Sequence, residues 1–300
     1  MAQVAFPGNS ASNCNMKIVR PCMVICGMFL ALLPVGVPAQ GAERPPLPFS
    51  PGETLTYDVS WSIFHAGEVT ATLSRDPIGS QNAFVVKTTA RSEGFVSILY
   101  KVRDDFQSVI DPESLCSRGI SKQINEGRRH RNATITFDSA RRLAILNEQN
   151  LSKPSEPPKH DEHEISPCVQ DIVSGFYYLR GQPMRVGETI HLAVNDGSKT
   201  TPVAAVVMDR EKIQTPMGTR DALRVEPRIF GTLYKKMKGR MLIWFSDDEH
   251  HYPLRIKADL SMGSITGTLT SISAAPHKDS LAGDGGGPAG PSKTPSDTVK

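Results

Sequence analysis

The chain has 300 residues, 39% apolar and 22% charged, proportions that suit a globular protein with a sizeable core. Its formal charge is +3, and the first 39 residues hold Lys17 and Arg20 but no acid, so the remainder carries only +1. Neither nucleic acid nor an anionic membrane is announced by so small a surplus, and the overall charge reads as an ordinary mixed surface.

The first segment reads as a signal peptide over 1–39. Met16-Lys17-Ile18-Val19-Arg20 is a short positive region, Cys22 to Val37 is an uncharged apolar run, and Val37-Pro38-Ala39 places small residues at −3 and −1. Ala39-Gln40-Gly41 is a second choice, so the expected mature start is Gln40 or Ala42. The run is short of the roughly 20 residues a membrane span needs, and Pro34, Gly36 and Pro38 interrupt it. Residues 1–15 read unlike a leader, which leaves Met1 and Met16 as alternative starts, and no lipobox precedes Cys22 or Cys26. The expectation is a periplasmic or secreted protein with no stable membrane span after cleavage. Cys14, Cys22 and Cys26 leave with the leader. Cys116 and Cys168 remain, too far apart for a C-x-x-C redox pair, and in an oxidising compartment they are expected to form a disulfide.

A short linker over 40–48 leads into a β-rich domain over 49–275. From Thr54 to Ile63 the alternation is regular: Leu55, Tyr57, Val59, Trp61 and Ile63 point one way, polar residues the other. Phe64-His65-Ala66-Gly67 turns the chain, and Val69, Ala71 and Leu73 resume the pattern as a hairpin partner. Further strands are predicted at 83–91, 97–110, 114–124, 131–138 and 142–147, with Gly127-Arg128-Arg129-His130-Arg131 as a hairpin tip of solvated charge. Residues 148–167, polar and holding Pro154, Pro157 and Pro158, read as loop. A helix is predicted over 167–180, capped by Ser166, with Val169, Ile172, Val173, Phe176 and Leu179 on one face and Gly181 past its end. Strands then return at 190–194, 200–209, 220–229, 239–245, 253–260 and 264–272, and residues 276–300 have the composition of a disordered tail. Pro51-Gly52-Glu53-Thr54-Leu55 and Val186-Gly187-Glu188-Thr189-Ile190 echo one another 135 residues apart. They suggest two β halves, 49–147 and 186–275, joined by the loop and helix of 148–185.

No pattern specifies a reaction. There is no Gly-x-Ser-x-Gly elbow, phosphate loop or dinucleotide fingerprint, and Ser97-x-x-Tyr100-Lys101 misses the Ser-x-x-Lys spacing. His160-Asp161-Glu162-His163-Glu164 has metal-ligand residue types, but in a Pro-flanked loop without rigid partners it reads as solvated charge; Asp247 to His251 reads as a hairpin turn. Hence no catalytic residue, no metal and no cofactor is assigned. The helix carries the more suggestive group: Asp171, Ser174, Tyr177, Tyr178 and Arg180 beside its apolar face, either the polar lip of a pocket or a set of buried tethers.

Gly52-Glu53-x-Leu55-x-Tyr57-x-Val59, Tyr100-x-Val102-x-Asp104, Asp171-x-x-Ser174-x-x-Tyr177-Tyr178-x-Arg180, Pro216-x-Gly218 and Trp244-x-Ser246-x-Asp248 through Pro253-Leu254-Arg255 resemble, in that order, the bacterial domain-of-unknown-function 3108 family over about 49–272. The resemblance implies export and names no activity.

The expected fold is mainly β, a curled antiparallel sheet of open-barrel or β-spiral type packed on one central helix. The expected role is a non-catalytic periplasmic protein that binds a lipid-like, apolar ligand or an envelope component in the curl. The alternatives are an assembly factor docking an envelope protein and, last, an envelope hydrolase. Tyr57, Trp61, Asp171, Tyr178, Arg180 and Trp244 are the expected ligand or partner residues.

Overall fold

The computed structural model describes residues 46–76, 82–229, 240–261 and 263–274. The expected signal peptide over 1–39 and tail over 276–300 lie outside the described residues. The first half of the domain runs β1 (Thr54–Trp61), β2 (Phe64–Arg75), β3 (Phe84–Ser92), α1 (Gly94–Leu99), β4 (Arg103–Ile110), β5 (Ser117–Glu126), β6 (Arg129–Asp138), β7 (Leu143–Asn150) and β8 (Lys159–Glu164). Then come α2 (Ser174–Arg180), β9 (Thr189–Asn195), β10 (Thr200–Thr215), β11 (Gly218–Ile229), β12 (Met241–Ser246), β13 (Pro253–Leu260) and β14 (Gly263–Ser273).

These strands form one open antiparallel sheet in the order β8-β7-β6-β5-β4-β3-β2-β1-β14-β13-β12-β11-β10-β9. Every neighbour is consecutive in the chain except β1 and β14, whose register sets Trp61 opposite Ile265 and Tyr57 opposite Leu269. From β1 in mid-sheet the strands therefore meander to the edge at β8, the chain crosses to the far edge at β9, and the strands meander back to β14. A link between opposite edges must pass over one face, and that link carries α2.

The sheet wraps around it. Leu179 packs with Val207, Leu223, Ile243 and Phe245 of the second half, whereas Tyr177 packs with Leu73, Phe84, Val86 and Ile110 of the first. Val169, just before the helix, packs with Ile120, Ile135 and Phe137. Neither the helix nor the sheet could leave such faces in water, and burying each large apolar side chain contributes about 1.5–3 kcal/mol. The curl brings the edges close enough for Asn195 Nδ2 and His163 Nε2 to stand 2.7 Å apart, although no ladder joins β8 to β9. Register shifts at Val59/Ser60, Val207/Asp209 and Trp244/Phe245 add local twist.

The sequence echo has a structural counterpart. Gly52 (φ 96°) donates to Leu73 O and Leu73 N to Glu53 O. Gly187 (φ 90°) donates to Val207 O and Val207 N to Glu188 O. The same glycine-dependent turn opens β1 against β2 and β9 against β10, because the left-handed φ is open to glycine at little cost.

Four expectations need correction. The turn expected at Phe64 to Gly67 lies at Ser62-Ile63, where Ser62 takes a left-handed φ of 55° and Ile63 is exposed, and Phe64 already pairs with Trp61 as the start of β2. The strand expected at 97–110 begins only at Arg103, because Phe95, Val96, Ile98 and Leu99 do not alternate and close instead into the single helical turns of α1, tied down by Glu93 N to Ala66 O. The loop expected at 148–167 contains β8, an edge strand of six polar residues paired only with β7; charge on an edge discourages pairing with other chains. The helix expected over 167–180 begins at Ser174, because the preceding residues are committed elsewhere. Ser117 N donates to Val169 O, Gln170 N to Ala193 O and Asn195 N to Gln170 O, and Gln170 forms a parallel bridge with Val194. Ser166 is accordingly not the cap. Asp171 Oδ1 accepts from the N–H groups of Val173 (2.7 Å) and Ser174 (3.0 Å), and Ser174 Oγ accepts from Asp171 N (2.9 Å). With this later start Ile172 precedes the helix and is 45% exposed, whereas Val169 and Leu179 are buried as expected.

Candidate binding site

The alternation of β1 builds the wall of the site. Leu55, Tyr57, Val59 and Trp61 face the inside of the curl, and the same period on the neighbours adds Val69 and Ala71 from β2, Ile256 and Ala258 from β13, and Ile265 and Gly267 from β14. Ile172, Phe176 and Tyr177 of the crossing link oppose them, and between lies a cavity of about 270 Å³ with almost wholly apolar walls. A second space of about 460 Å³ shares Val59, Val69 and Ile265 with the first and extends to Trp61, Val96, Leu99 and Tyr100 at the α1 end. One apolar trough thus runs along the inner face of β1 from α2 to α1.

The floor is polar and closed. Arg180 donates from Nη1 to Glu53 Oε1 (2.6 Å), from Nη2 to Glu53 Oε2 (2.9 Å) and Pro48 O (3.2 Å), and from Nε to His250 O (3.2 Å). Phe49, Tyr177 and Tyr252 ring the guanidinium at 5.1, 5.3 and 5.2 Å from their centroids. Burial opposes the charge most strongly, but the hydrogen bonds to Glu53 and its negative charge, with smaller contributions from Tyr177 and Tyr57, together outweigh it and hold the Arg180 pKa above its usual value. Burial likewise pushes the Tyr57 and Tyr177 phenols well above theirs, with Arg180 pulling the other way, so both stay neutral. Tyr177 and Thr88 border the inner cavity, and their Oη and Oγ1 atoms, themselves out of reach of solvent, have no hydrogen-bond partner among the described residues.

The expected site residues separate accordingly. Tyr57 and Trp61 line the trough, and Arg180 sits at its floor with its side chain fully out of solvent. Asp171 is wholly buried and accepts from Ser108 Oγ and Ser117 Oγ at 2.6 Å each, besides the two helix N–H groups; this is a tether between the link, β4 and β5. Tyr178 is half-buried against the cluster around Phe49 and Leu73 and does not border the trough. Trp244 does not border it either. Its neighbours Ile243 and Phe245 face α2, while its own indole donates to Glu211 (2.7 Å) under Arg255. Cys116 and Cys168 are joined in a disulfide with Cα atoms 5.3 Å apart, fastening the β4–β5 turn to the link. The His160 and His163 side chains alternate to opposite faces of β8, and among the described residues no group of three or more His, Cys, Asp or Glu could hold a metal ion.

Sequence reasoning passed over Glu53, Phe49 and Tyr252 as site residues, and α1 altogether. Glu53 had a signal, its Gly-Glu turn, but its counterpart Glu188 is exposed and pairs with Arg185, so the turn alone does not foretell the buried pair.

Among the described residues no helix is long and apolar enough to cross a membrane. The model of the family "Protein of unknown function (DUF3108)" matches residues 56–270. No curated protein matches the sequence. The crystal structure of a beta-barrel-like protein of the domain of unknown function DUF1849 from Brucella abortus is similar, with a TM-score of 0.50 at 9% identity over 75% of this chain and 98% of that one. A protein with a YmcC-like fold from Bacteroides fragilis is more distant, with a TM-score of 0.33 at 10% identity over 76% of this chain and 98% of that one. At these identities the likeness concerns the β-barrel-like fold alone.

Proposed function

The chain belongs to the DUF3108 family, and from that premise we propose that it is an exported, non-catalytic protein that holds the apolar chain of an amphiphile in the trough beside β1. The observation that carries this reading is the trough itself, apolar along its length and closed below by α2 and the Arg180–Glu53 pair. Concave, mainly apolar sites are the usual form of small-molecule sites. Export agrees with the leader-like first 39 residues and with the disulfide, which persists in oxidising compartments.

Gly267 offers the test. It borders the inner cavity, and a Cβ built there meets nothing closer than Tyr57 at 4.0 Å, so a leucine would occupy the empty space. Titration with the fluorescent fatty acid cis-parinaric acid should give saturable binding to the wild type and at least tenfold weaker binding to Gly267→Leu, with thermal stability kept or raised. No saturable binding, or equal binding by both proteins, would rule the reading out.

A further inference from the structure

The strand ends around α1 present an apolar surface that the core does not use. Ile63 and Phe64 form the β1–β2 tip, 88% and 53% exposed, and Phe95, Ile98 and Leu99 of α1 are 63%, 82% and 61% exposed. They are neighbours, since Glu93 N donates to Ala66 O and His65 stands between Asp58 and Glu93. No residue of α1 is buried, although four of its six, Phe95, Val96, Ile98 and Leu99, are apolar and its C-cap is Tyr100, an exposure that soluble surfaces normally avoid.

This surface rims the mouth of the trough. Val96, Leu99 and Tyr100 border the outer space from one side and Trp61 from the other. Basic groups flank it: Lys101 follows Tyr100, the cap of α1, and its carbonyl accepts from Gly127 N (2.8 Å), bringing up the exposed Arg128 and Arg129 of the β5–β6 tip. The Tyr100 ring lies against Gly127, where an added Cβ would come within 3.1 Å. The acids at this end are Asp58 and Glu93, both on His65, Glu126, which accepts from Tyr100 Oη and Arg129 at 3.4 Å each, the buried Asp104, which accepts from Asn125 N (2.8 Å), Asp105, which pairs with the mouth residue Arg91 (2.5 Å), and Glu68 at the mouth.

We propose that this end docks on an anionic bilayer surface, with Ile63, Phe64, Phe95, Ile98 and Leu99 entering the headgroup boundary and Lys101, Arg128 and Arg129 meeting lipid phosphates. Interfacial anchors combine an apolar face, an aromatic at headgroup depth and flanking cations, and this end has all three. The cations choose the bilayer over an apolar protein patch, because they would gain nothing against the latter. The near-neutral total charge of the chain does not reveal this arrangement; it is local to three adjacent turns. Docking in this pose turns the mouth of the trough to the membrane, so its purpose rests on the ligand reading, whereas its geometry does not.

Co-sedimentation with vesicles of phosphatidylglycerol and phosphatidylethanolamine, against pure phosphatidylcholine, tests it. The wild type should pellet with the anionic vesicles, less so at high salt. The exposed-site variant Ile63→Asp/Ile98→Asp should lose at least tenfold in binding while keeping its melting temperature. Gly267→Leu should still pellet while failing to take up cis-parinaric acid. Wild-type protein left in the supernatant, or undiminished binding by the double variant, would overturn the inference. So would light scattering that shows a dimer split by the same substitutions, since a second copy would then be the occupant. Probe uptake without vesicle binding removes only the docking inference, and vesicle binding without probe uptake removes only the ligand reading.

Discussion

Arg180 and Glu53, 127 residues apart in sequence, form a two-pronged ion pair whose side chains are respectively 0% and 5% exposed. The pair joins the end of α2 to the turn that opens β1, so it fixes the crossing link against the middle of the sheet. Leaving either charge alone in this interior is costly. Glu53→Gln and Arg180→Ala should each destabilise by about 3–5 kcal/mol, and Glu53→Leu with Arg180→Met should recover much of that loss. Urea denaturation of the three variants checks this; single variants costing under about 1 kcal/mol would show that the pair does not hold the link.

The Cys116–Cys168 bridge closes a loop of 52 residues that contains β5 to β8. On the chain-entropy model such a closure stabilises by about 4 kcal/mol. Cys168→Ser should lower the denaturation midpoint accordingly, and dithiothreitol should do the same to the wild type while leaving the variant unchanged.

His65 is a pH-sensitive strut between the β1–β2 hairpin and α1. Its ring nitrogens stand 3.2 Å from Glu93 and 2.7 Å from Asp58, and the Glu93 hydrogen bond, with a further contribution from Asp58, raises its pKa above 6.5. A raised folded-state pKa means the contribution is complete below the unfolded value near 6.5 and disappears as pH rises through the folded value. NMR titration should place His65 above 6.5 in the wild type and lower in Glu93→Gln, and exchange protection at the start of α1 should fall with rising pH. Equal titration midpoints in the two proteins would contradict the strut.

The two tryptophans report on different places, Trp61 on the trough and Trp244 away from it. A fatty acid brominated along its chain should quench the Trp244→Phe protein strongly and the Trp61→Phe protein little. The reverse pattern would put the ligand beside β12, in the cluster that Trp244 forms with Ile213 and Leu254.

Where one face of a strand meets the core, period two made the element readable, as in β1, β13 and β14. The charged edge strand β8 lacks that contrast, because an edge that avoids aggregation carries polar residues on both faces. The start of α2 was illegible for another reason. Val169 and Ile172 fit a helical period, but a disulfide at Cys168 and hydrogen bonds from β5 and β9 decide the backbone there, and those partners are distant in sequence. Of the candidate site, Tyr57 and Trp61 followed from alternation alone. Arg180 and Asp171 were visible as unusual polar groups, but whether they face a ligand or tether a helix depends on Glu53, Ser108 and Ser117, which no local pattern links to them.

The central claim is that the trough holds the apolar chain of an amphiphile. Organic extraction and mass spectrometry of protein purified without detergent from a bacterial periplasm test it most directly, with Gly267→Leu as the matched control. The account predicts a single-chain or two-chain amphiphile near one per protein in the wild type and its depletion at least tenfold in the variant. An extract from the wild type that matches the variant, in kind and amount, would contradict it.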